Sequence, residues 1–281
     1  MNSLPFPNDI LNIINEYAFF KPKTKKELQD AINFYCEDKK EGIHKYGIIN
    51  TWDVSHITNM SFLFGCKKEF NEPINNWNTS QVTDMSYMFY QASCFNKPLY
   101  NWNTSQVTDM SCMFYHASHF NQHLYNWNTS QVSDMRSMFE NAHYFNQPLN
   151  KWDTSQVTDM SCMFENATSF NCPIGNWDTK NVKNMENMFN FARSFNEPLY
   201  NWDTSEVHTM KGMFNCASSF NQSLNHFNVK KVRIFAVMFG GAENFNQSLN
   251  DWETSNDANM TCIFRDATKF EIEKNAKWYC K

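Results

Sequence analysis

The sequence is poor in glycine and carries little charge, and each shortage excludes a class of function. Only 7 of the 281 residues are glycine, and no glycine-rich phosphate loop or dinucleotide fingerprint is present. No nucleophile, base and orienting residue recur together, so no catalytic residue and no cofactor are predicted. The net charge of −5 gives no electrostatic basis for binding nucleic acid. We therefore expect a protein that is not an enzyme.

The first twenty residues lack the features of a targeting segment. They contain no basic start, no lipobox cysteine and no small-residue cleavage site, and polar residues interrupt their apolar run. They predict neither a signal peptide nor a membrane span.

What the sequence does contain is nine tandem copies of a 25-residue repeat, without any insertion. A period held this strictly predicts a solenoid. We call column n the set of residues that lie n positions after the first residue of each copy. Copy eight begins at Phe227, and the other copies begin at Trp52, Trp77, Trp102, Trp127, Trp152, Trp177, Trp202 and Trp252.

The apolar columns predict one short helix in each copy. In copy two, Val82, Met85, Phe89 and Ala92 recur at intervals of three, four and three residues, which places them on one helical face. Thr79 offers a cap at the start of that helix. The residues that follow, up to the next tryptophan, are often marked by proline and predict a brief strand or extended run.

Two columns predict ladders that run through the stack. The tryptophans of column 0 can bury one another, and the asparagines of column 19 supply the same donor and acceptor in every copy. The asparagine ladder is expected to run from Asn71 to Asn246 as a set of buried amides, and it includes Asn96, Asn121, Asn146, Asn171 and Asn196. The alternative is a row of exposed turn asparagines.

The repeated pattern W-D/N-T-S-x-V-x-x-M-x-x-M-F-x-x-A-x-x-F-N resembles the repeat of the BspA-like leucine-rich-repeat superfamily. That superfamily occurs in mycoplasma lipoproteins, other bacterial surface proteins and some large DNA viruses. The resemblance implies an α/β solenoid used for binding, a leucine-rich-repeat-like right-handed array of nine 25-residue helix-plus-short-strand repeats. In copy eight, Phe227, Lys230 and Phe235 depart from the pattern and predict a less regular rung.

The residues outside the repeats predict caps. Residues 23–50 contain a capping box at Thr24 and Glu27, followed by a helix over 24–38 with one apolar face, and predict an α-helical N-terminal cap. The solenoid spans 51–270, and 271–281 predict a short C-terminal cap. Residues 1–22 predict an amphipathic helix that closes the end of the solenoid. Alternatively, this segment resembles the first helix of an F-box, which implies docking to a ubiquitin-ligase adaptor through Leu4, Pro5, Ile10, Leu11 and Ile14.

Two sets of outward residues predict the binding of another protein. The first is a basic set in copies six to eight: Lys180, Lys183, His208, Lys211, Lys230, Lys231 and Arg233. The second is a set of column-23 tyrosines: Tyr100, Tyr125 and Tyr200. Copies two to five carry aspartates in column 7, which a helix N-terminus would favour. Opposite charges in the two halves could also drive head-to-tail self-association.

Cysteine and histidine do not predict a metal site. Cys112, His116, His119 and His123 have the residue types of a zinc site, but their spacing spreads them over different parts of the repeat. The nine cysteines never share a column in adjacent copies, so disulfides between neighbouring copies are not expected. Free thiols suit a reducing, intracellular location, in the cytoplasm of the cell or its host or in a virion.

Two functions remain open from the sequence. The first is a non-catalytic protein–protein interaction scaffold, including a ubiquitin-ligase substrate receptor. The alternative is a structural, surface or virion protein that uses the solenoid as a rigid spacer or adhesin.

Overall fold

The computed structural model describes residues 20–279. Two helices precede the repeats, α1 (Lys25–Glu37) and α2 (Lys39–Tyr46), and a 3-10 turn, Ile49–Thr51, leads into copy one. A short helix, α3 (Ile272–Asn275), follows copy nine. Between the 3-10 turn and α3, the described chain contains no helix, and its only strand pairing consists of isolated bridges.

The nine copies lie side by side in parallel, in a register of 25 residues. A parallel bridge joins column 7 of each copy to column 7 of the next. Around it, alternate N–H groups of one copy donate to carbonyl oxygens of the next copy. In copy two these bonds measure 2.7–3.0 Å, and the donors are Met85, Tyr87, Phe89 and Gln91. We call columns 7 to 14 the ladder segment.

The prediction of a helix in each copy is wrong. The intervening N–H groups of Met88, Tyr90 and Ala92 donate to the residue three positions earlier, so the segment is a chain of tight turns. Columns 10 and 14 have positive φ in every copy, which a right-handed helix excludes. A helix would also need the N–H groups that here donate to the next copy. The apolar spacing arises instead because the turns bring columns 5, 8, 11, 12 and 15 inside.

The predicted strand and helix cap are also absent from the repeats. Residues 95–99 of copy two pair with no strand. Thr79 is buried, and its hydroxyl donates to the carbonyl of Asn103 in the next copy at 2.9 Å. The column-7 residue Asp84 does not lie at a helix N-terminus, and it accepts bonds from the N–H and hydroxyl of Ser86. These side chains therefore stabilise turns and contacts between copies.

Aromatic rings stack through the core in three columns. The tryptophans of column 0 are only 1–4% exposed. From copy two onward each indole Nε1 donates to the carbonyl 28 residues earlier, at 2.8–3.1 Å. Centroid distances between adjacent copies are 5.4–5.8 Å in column 12, 5.5–6.1 Å in column 18 and 6.3–6.5 Å in column 0.

These spacings show that the stack is curved. The distance between equivalent rings measures how far apart adjacent copies lie at that point of the stack. In the ladder segment, backbone hydrogen bonding requires adjacent copies to be about 4.8 Å apart. The separation therefore grows from the ladder segment to the tryptophan column, where it reaches 6.5 Å. The copies fan out, and the ladder segment lies on the concave side.

The asparagines of column 19 form a hydrogen-bonded ladder. From Asn71 onward, each side-chain oxygen accepts the backbone N–H of the next asparagine, at 2.8–3.0 Å. The expected burial is wrong, because these residues are half-buried or exposed. Glutamines of column 20 add a second donor to the same oxygen, and they are Gln122, Gln147, Gln222 and Gln247.

Residues outside the repeats cover copy one and the tryptophan column of copy nine. At the first copy, the buried face of α1 contains Leu28, Ala31, Ile32 and Tyr35, the residues that the sequence predicts. Gln29 Nε2 of α1 donates to the Leu63 carbonyl of copy one at 2.8 Å. At the last copy, Trp278 stacks on Trp252 with centroids 6.0 Å apart, and its indole donates to Leu249 O at 2.7 Å. Trp278 thus extends the tryptophan ladder. It lies 26 residues after Trp252, so it does not match the period of 25 residues that defines the repeat.

Copy eight is regular despite its substitutions. Phe227 is buried but has no indole N–H. The adjacent His226 places Nε2 3.1 Å from Leu199 O, the carbonyl that a tryptophan at 227 would reach. Because a carbonyl can only accept, the imidazole donates from Nε2. The ladder bond from Phe235 N to Asn259 O is intact at 2.8 Å.

We predict that His226→Ala lowers the free energy of unfolding by about 1 kcal/mol, because the Leu199 carbonyl loses a donor. In a Phe227→Trp background the same change should cost close to nothing, since the indole N–H can make the bond. Chemical denaturation of the four proteins measures this coupling. Equal costs in both backgrounds would show that the imidazole does not replace the indole.

The ladder segments store backbone strain. Sixteen residues other than glycine occupy positive φ in columns 10 and 14, and glycine is present there only at Gly212 and Gly241. A β-branched residue is the least suited to this region, and Val237 holds it at φ 52°.

Val237→Asn should therefore raise the free energy of unfolding by about 1 kcal/mol, because asparagine tolerates left-handed φ. Asn187 already occupies the same column at φ 54°. Ser137→Val, the opposite change in that column, should lower stability by a similar amount. Unfolding midpoints in urea test both variants, and two unchanged midpoints would contradict the strain argument.

Candidate functional site

The outward side chains of the ladder segment form one continuous surface, which we call the ladder face. They occupy columns 9, 10, 13 and 14, because the side chains of columns 8, 11 and 12 are in the core. Of the side chains in the four outward columns, those of Ser86, Ser111, Cys112 and Asn190 are buried by their neighbours. Ring contacts and side-chain hydrogen bonds join these columns between copies. Their residues also differ widely from copy to copy: column 10 alone holds Phe, Tyr, Cys, Ser, Asn, Gly and Val. The backbone of the ladder face is therefore the same in every copy, whereas its side chains differ from copy to copy.

The N-terminal part of the ladder face is aromatic. Phe62 and Tyr87 are 46% and 38% exposed. Both rings contact Tyr90, with centroids 5.9 and 5.7 Å away, and Tyr90 stacks on Tyr115 at 4.8 Å. A hydrogen bond to Cys112 raises the pKa of Tyr87 to about 12. These rings give a rigid amphipathic surface of the kind enriched at protein interfaces.

The centre of the ladder face is acidic. A carboxylate oxygen of Glu140, the Sγ of Cys162 and a carboxylate oxygen of Glu165 all lie within 4.8 Å of one another, and the three residues are half-buried. Burial, together with the charge of Glu165, raises the pKa of Glu140. Burial and contact with Glu165 raise the pKa of the Cys162 thiol. Asn190 Nδ2 donates to Glu165 Oε1 at 2.8 Å.

The C-terminal part of the ladder face carries amides and glycines. Asn215 Nδ2 donates to Asn190 Oδ1 at 2.8 Å. A Cβ on Gly212 would collide with the side-chain oxygen of Asn187, and a Cβ on Gly240 would collide with that of Asn215. The amide side chains therefore lie flat over the next copy. The glycines leave room for them.

The predicted basic set is largely neutralised by carboxylates. All seven residues are exposed. Five of them form ion pairs with N–O distances of 2.6–3.6 Å: Lys180 with Asp178, Lys211 with Glu186, Lys230 with Glu253, Lys231 with Glu206 and Arg233 with Asp257. Within residues 20–279, Lys183 and His208 form none. A partner of this surface would have to compete with five internal ion pairs, and the role of the seven residues in binding stays a prediction.

The predicted tyrosines of column 23 lie on turns and not on a strand. Tyr100, Tyr125 and Tyr200 are 50%, 42% and 66% exposed. Across the described part of the chain, no ring contact joins the adjacent Tyr100 and Tyr125, while Lys151 Nζ lies 5.5 Å from the Tyr125 ring. These side chains are accessible, and their role in binding stays a prediction.

The four residues with zinc-like types do not converge. Cys112 is buried, and His119 Nδ1 lies 2.8 Å from Ser93 O. Among residues 20–279, the one group of His, Cys, Asp or Glu close enough to share a metal ion is the acidic centre of the ladder face. The eight cysteines in the described range are unpaired.

The F-box-like residues Leu4, Pro5, Ile10, Leu11 and Ile14 lie outside the described residues. Over the range that the structure does describe, no helix is both long enough and apolar enough to cross a membrane.

Comparison with known proteins gives one family. The family described as "Mycoplasma protein of unknown function, DUF285" matches three overlapping stretches of the chain, residues 35–147, 122–214 and 198–280. Together the matches cover residues 35–280, which include all nine copies. No curated protein and no solved structure matches the chain. The chain therefore belongs to the DUF285 family of repeat proteins, whose function is unknown.

Proposed function

We propose that the protein is a non-catalytic protein–protein interaction scaffold, a solenoid that presents the ladder face to a protein partner. The observation that carries the proposal is the cluster of exposed and half-buried rings at Phe62, Tyr87, Tyr90 and Tyr115. A stable chain gains nothing by leaving Phe62 46% exposed, whereas a partner that covers these rings gains their apolar area.

The shape and size of the ladder face support a protein partner. The stack curves toward this face, and solenoids commonly bind partners on the concave side. Nine copies spaced by about 4.8 Å extend over roughly 40 Å, which is long enough for an interface of about 800 Å² per partner. Tight turns and cross-copy bonds hold the backbone, so binding orders few groups that were previously free.

A rigid spacer or adhesin is the second candidate function. The ladders that continue through every copy support it, because a stiff rod needs an unbroken register. A spacer alone does not require exposed rings at one end of the concave side. We therefore prefer the interaction scaffold.

Photo-crosslinking tests the proposal. A benzophenone amino acid at Tyr87 should capture one defined protein from an extract of the cells that naturally contain this chain. The matched control places the same group at Tyr144, which is 59% exposed in column 17, outside the ladder face. Phe62→Ser with Tyr115→Ser should reduce capture from position 87 by at least about tenfold while the thermal unfolding midpoint stays close to wild type. Equal capture from both positions, or none from 87, would contradict the proposal.

A narrower form of the proposal rests on the sequence of residues 1–22 alone. If their F-box-like pattern is functional, the protein is a substrate receptor that links a ladder-face partner to a ubiquitin ligase. Purified ligase adaptor should then bind the full chain, and Ile10→Asp with Ile14→Asp should abolish that binding without affecting crosslinking at position 87. An adaptor that does not bind the wild-type chain would remove the narrower form and leave the scaffold proposal in place.

A further inference from the structure

The acidic centre of the ladder face has the donors and the spacing of a metal site. Its two carboxylates and its thiol are mutually within 4.8 Å. In a tetrahedral zinc site, ligand atoms lie about 3.3–3.8 Å apart, so movements of roughly one ångström would bring these three atoms around one ion. The ligands come from two copies, Glu140 from copy four and Cys162 and Glu165 from copy five.

The backbone that carries these ligands is already held in place. Cys162 has φ 55°, and its N–H donates to Glu186 O of the next copy at 2.8 Å. Glu165 N donates to Cys162 O at 3.0 Å, which closes a tight turn between the two ligands. A metal ion would therefore have to order only side chains.

No cationic side chain of residues 20–279 forms an ion pair with this cluster, although Lys211 interacts with Cys162 and Glu165 at longer range. Among the described residues, neither Glu140 nor Glu165 forms an ion pair, whereas the nearby Glu186 pairs with Lys211 at 2.8 Å. The donors that reach the two carboxylates include the amides of Asn190 and Asn141, which are neutral. Binding a cation here would therefore not require either carboxylate to break an ion pair with a described residue.

We propose that Glu140, Cys162 and Glu165 bind a zinc ion, with water or a donor from a partner completing the coordination. Zinc is favoured because Mg²⁺ and Ca²⁺ select oxygen donors alone and Cu⁺ selects sulfur, while Zn²⁺ accepts thiolate and carboxylate together. On binding, the Cys162 thiol releases its proton to solvent and a Zn–S bond forms without any change in oxidation state.

The repeat supplies matched controls for this site. Cys112 and Cys262 occupy the same column as Cys162 and have φ of 53° and 56°. Column 13 beside Cys112 holds Tyr90 and Tyr115, so the two glutamates are present only around Cys162. A site that depended on the cysteine column alone would form at all three positions.

Cobalt and zinc titrations of the full chain test the proposal. After removal of metals with a chelator, one equivalent of Co²⁺ should produce a thiolate-to-cobalt charge-transfer absorption band, and Zn²⁺ should displace it. Cys162→Ser should abolish the band, and Glu140→Gln or Glu165→Gln should weaken binding by about tenfold or more. Cys112→Ser and Cys262→Ser should leave it unchanged.

Two results would overturn the assignment. One is the absence of a thiolate–cobalt band from the wild-type chain. The other is a band of equal strength in Cys162→Ser, which would show that another cysteine binds the metal. Calorimetry with Zn²⁺ supplies the stoichiometry, and circular dichroism shows that each variant is folded. The outcome does not depend on whether the aromatic part of the ladder face binds a protein.

Discussion

Backbone hydrogen bonding between copies is the constraint on which the rest of the structure depends. Each ladder segment gives alternate N–H groups to the next copy, and one bridge in every interface marks the register. One residue inserted within a ladder segment would displace the donors that follow it in that segment from their acceptors, so the length of this segment is the same in every copy. Thr79, the tryptophan indoles and the asparagines of column 19 make the same kind of bond with side chains.

The sequence predicts which residues are buried better than it predicts the path of the backbone. The columns of Val82, Met85, Phe89 and Ala92 are in the core as expected, and α1 buries the expected face. Intervals of three and four residues, however, fit a helix and a chain of three-residue turns equally well. Residues with left-handed φ distinguish the chain of turns from a helix, and glycine at those positions would have indicated them in the sequence. Glycine holds only two of those eighteen positions and cysteine holds five, so the signal is hidden.

The ladder face was missed for the same reason. Charge and tyrosine content direct attention mainly to columns 3, 4, 6 and 23, and of the residues predicted to bind a partner only Lys211, in column 9, lies on the ladder face. Columns 9, 10, 13 and 14 become neighbours only when the segment forms turns and the copies stack. The close approach of Glu140 to Cys162 joins residues 22 positions apart in sequence, and it follows from register and not from any local motif. The variability of these columns was the available signal. This variability indicates that folding does not require a particular side chain in these columns, although it does not identify the partner.

The two ends bear on how copies of the protein could associate. At copy one, α1 occupies the acceptor side of the ladder, with Gln29 bonded to Leu63 O and Lys25 bonded to Asn59 and Ser61. At copy nine, Trp278 fills the place of the next tryptophan, and Asn275 Nδ2 donates to Asn246 Oδ1 at 2.7 Å. A second chain would have to displace α1 to reach the carbonyl groups of copy one. At copy nine, Trp278 covers the tryptophan column, but among the described residues the ladder N–H groups of Met260, Cys262 and Phe264 have no backbone acceptor. Head-to-tail growth through the backbone would therefore require α1 to leave copy one.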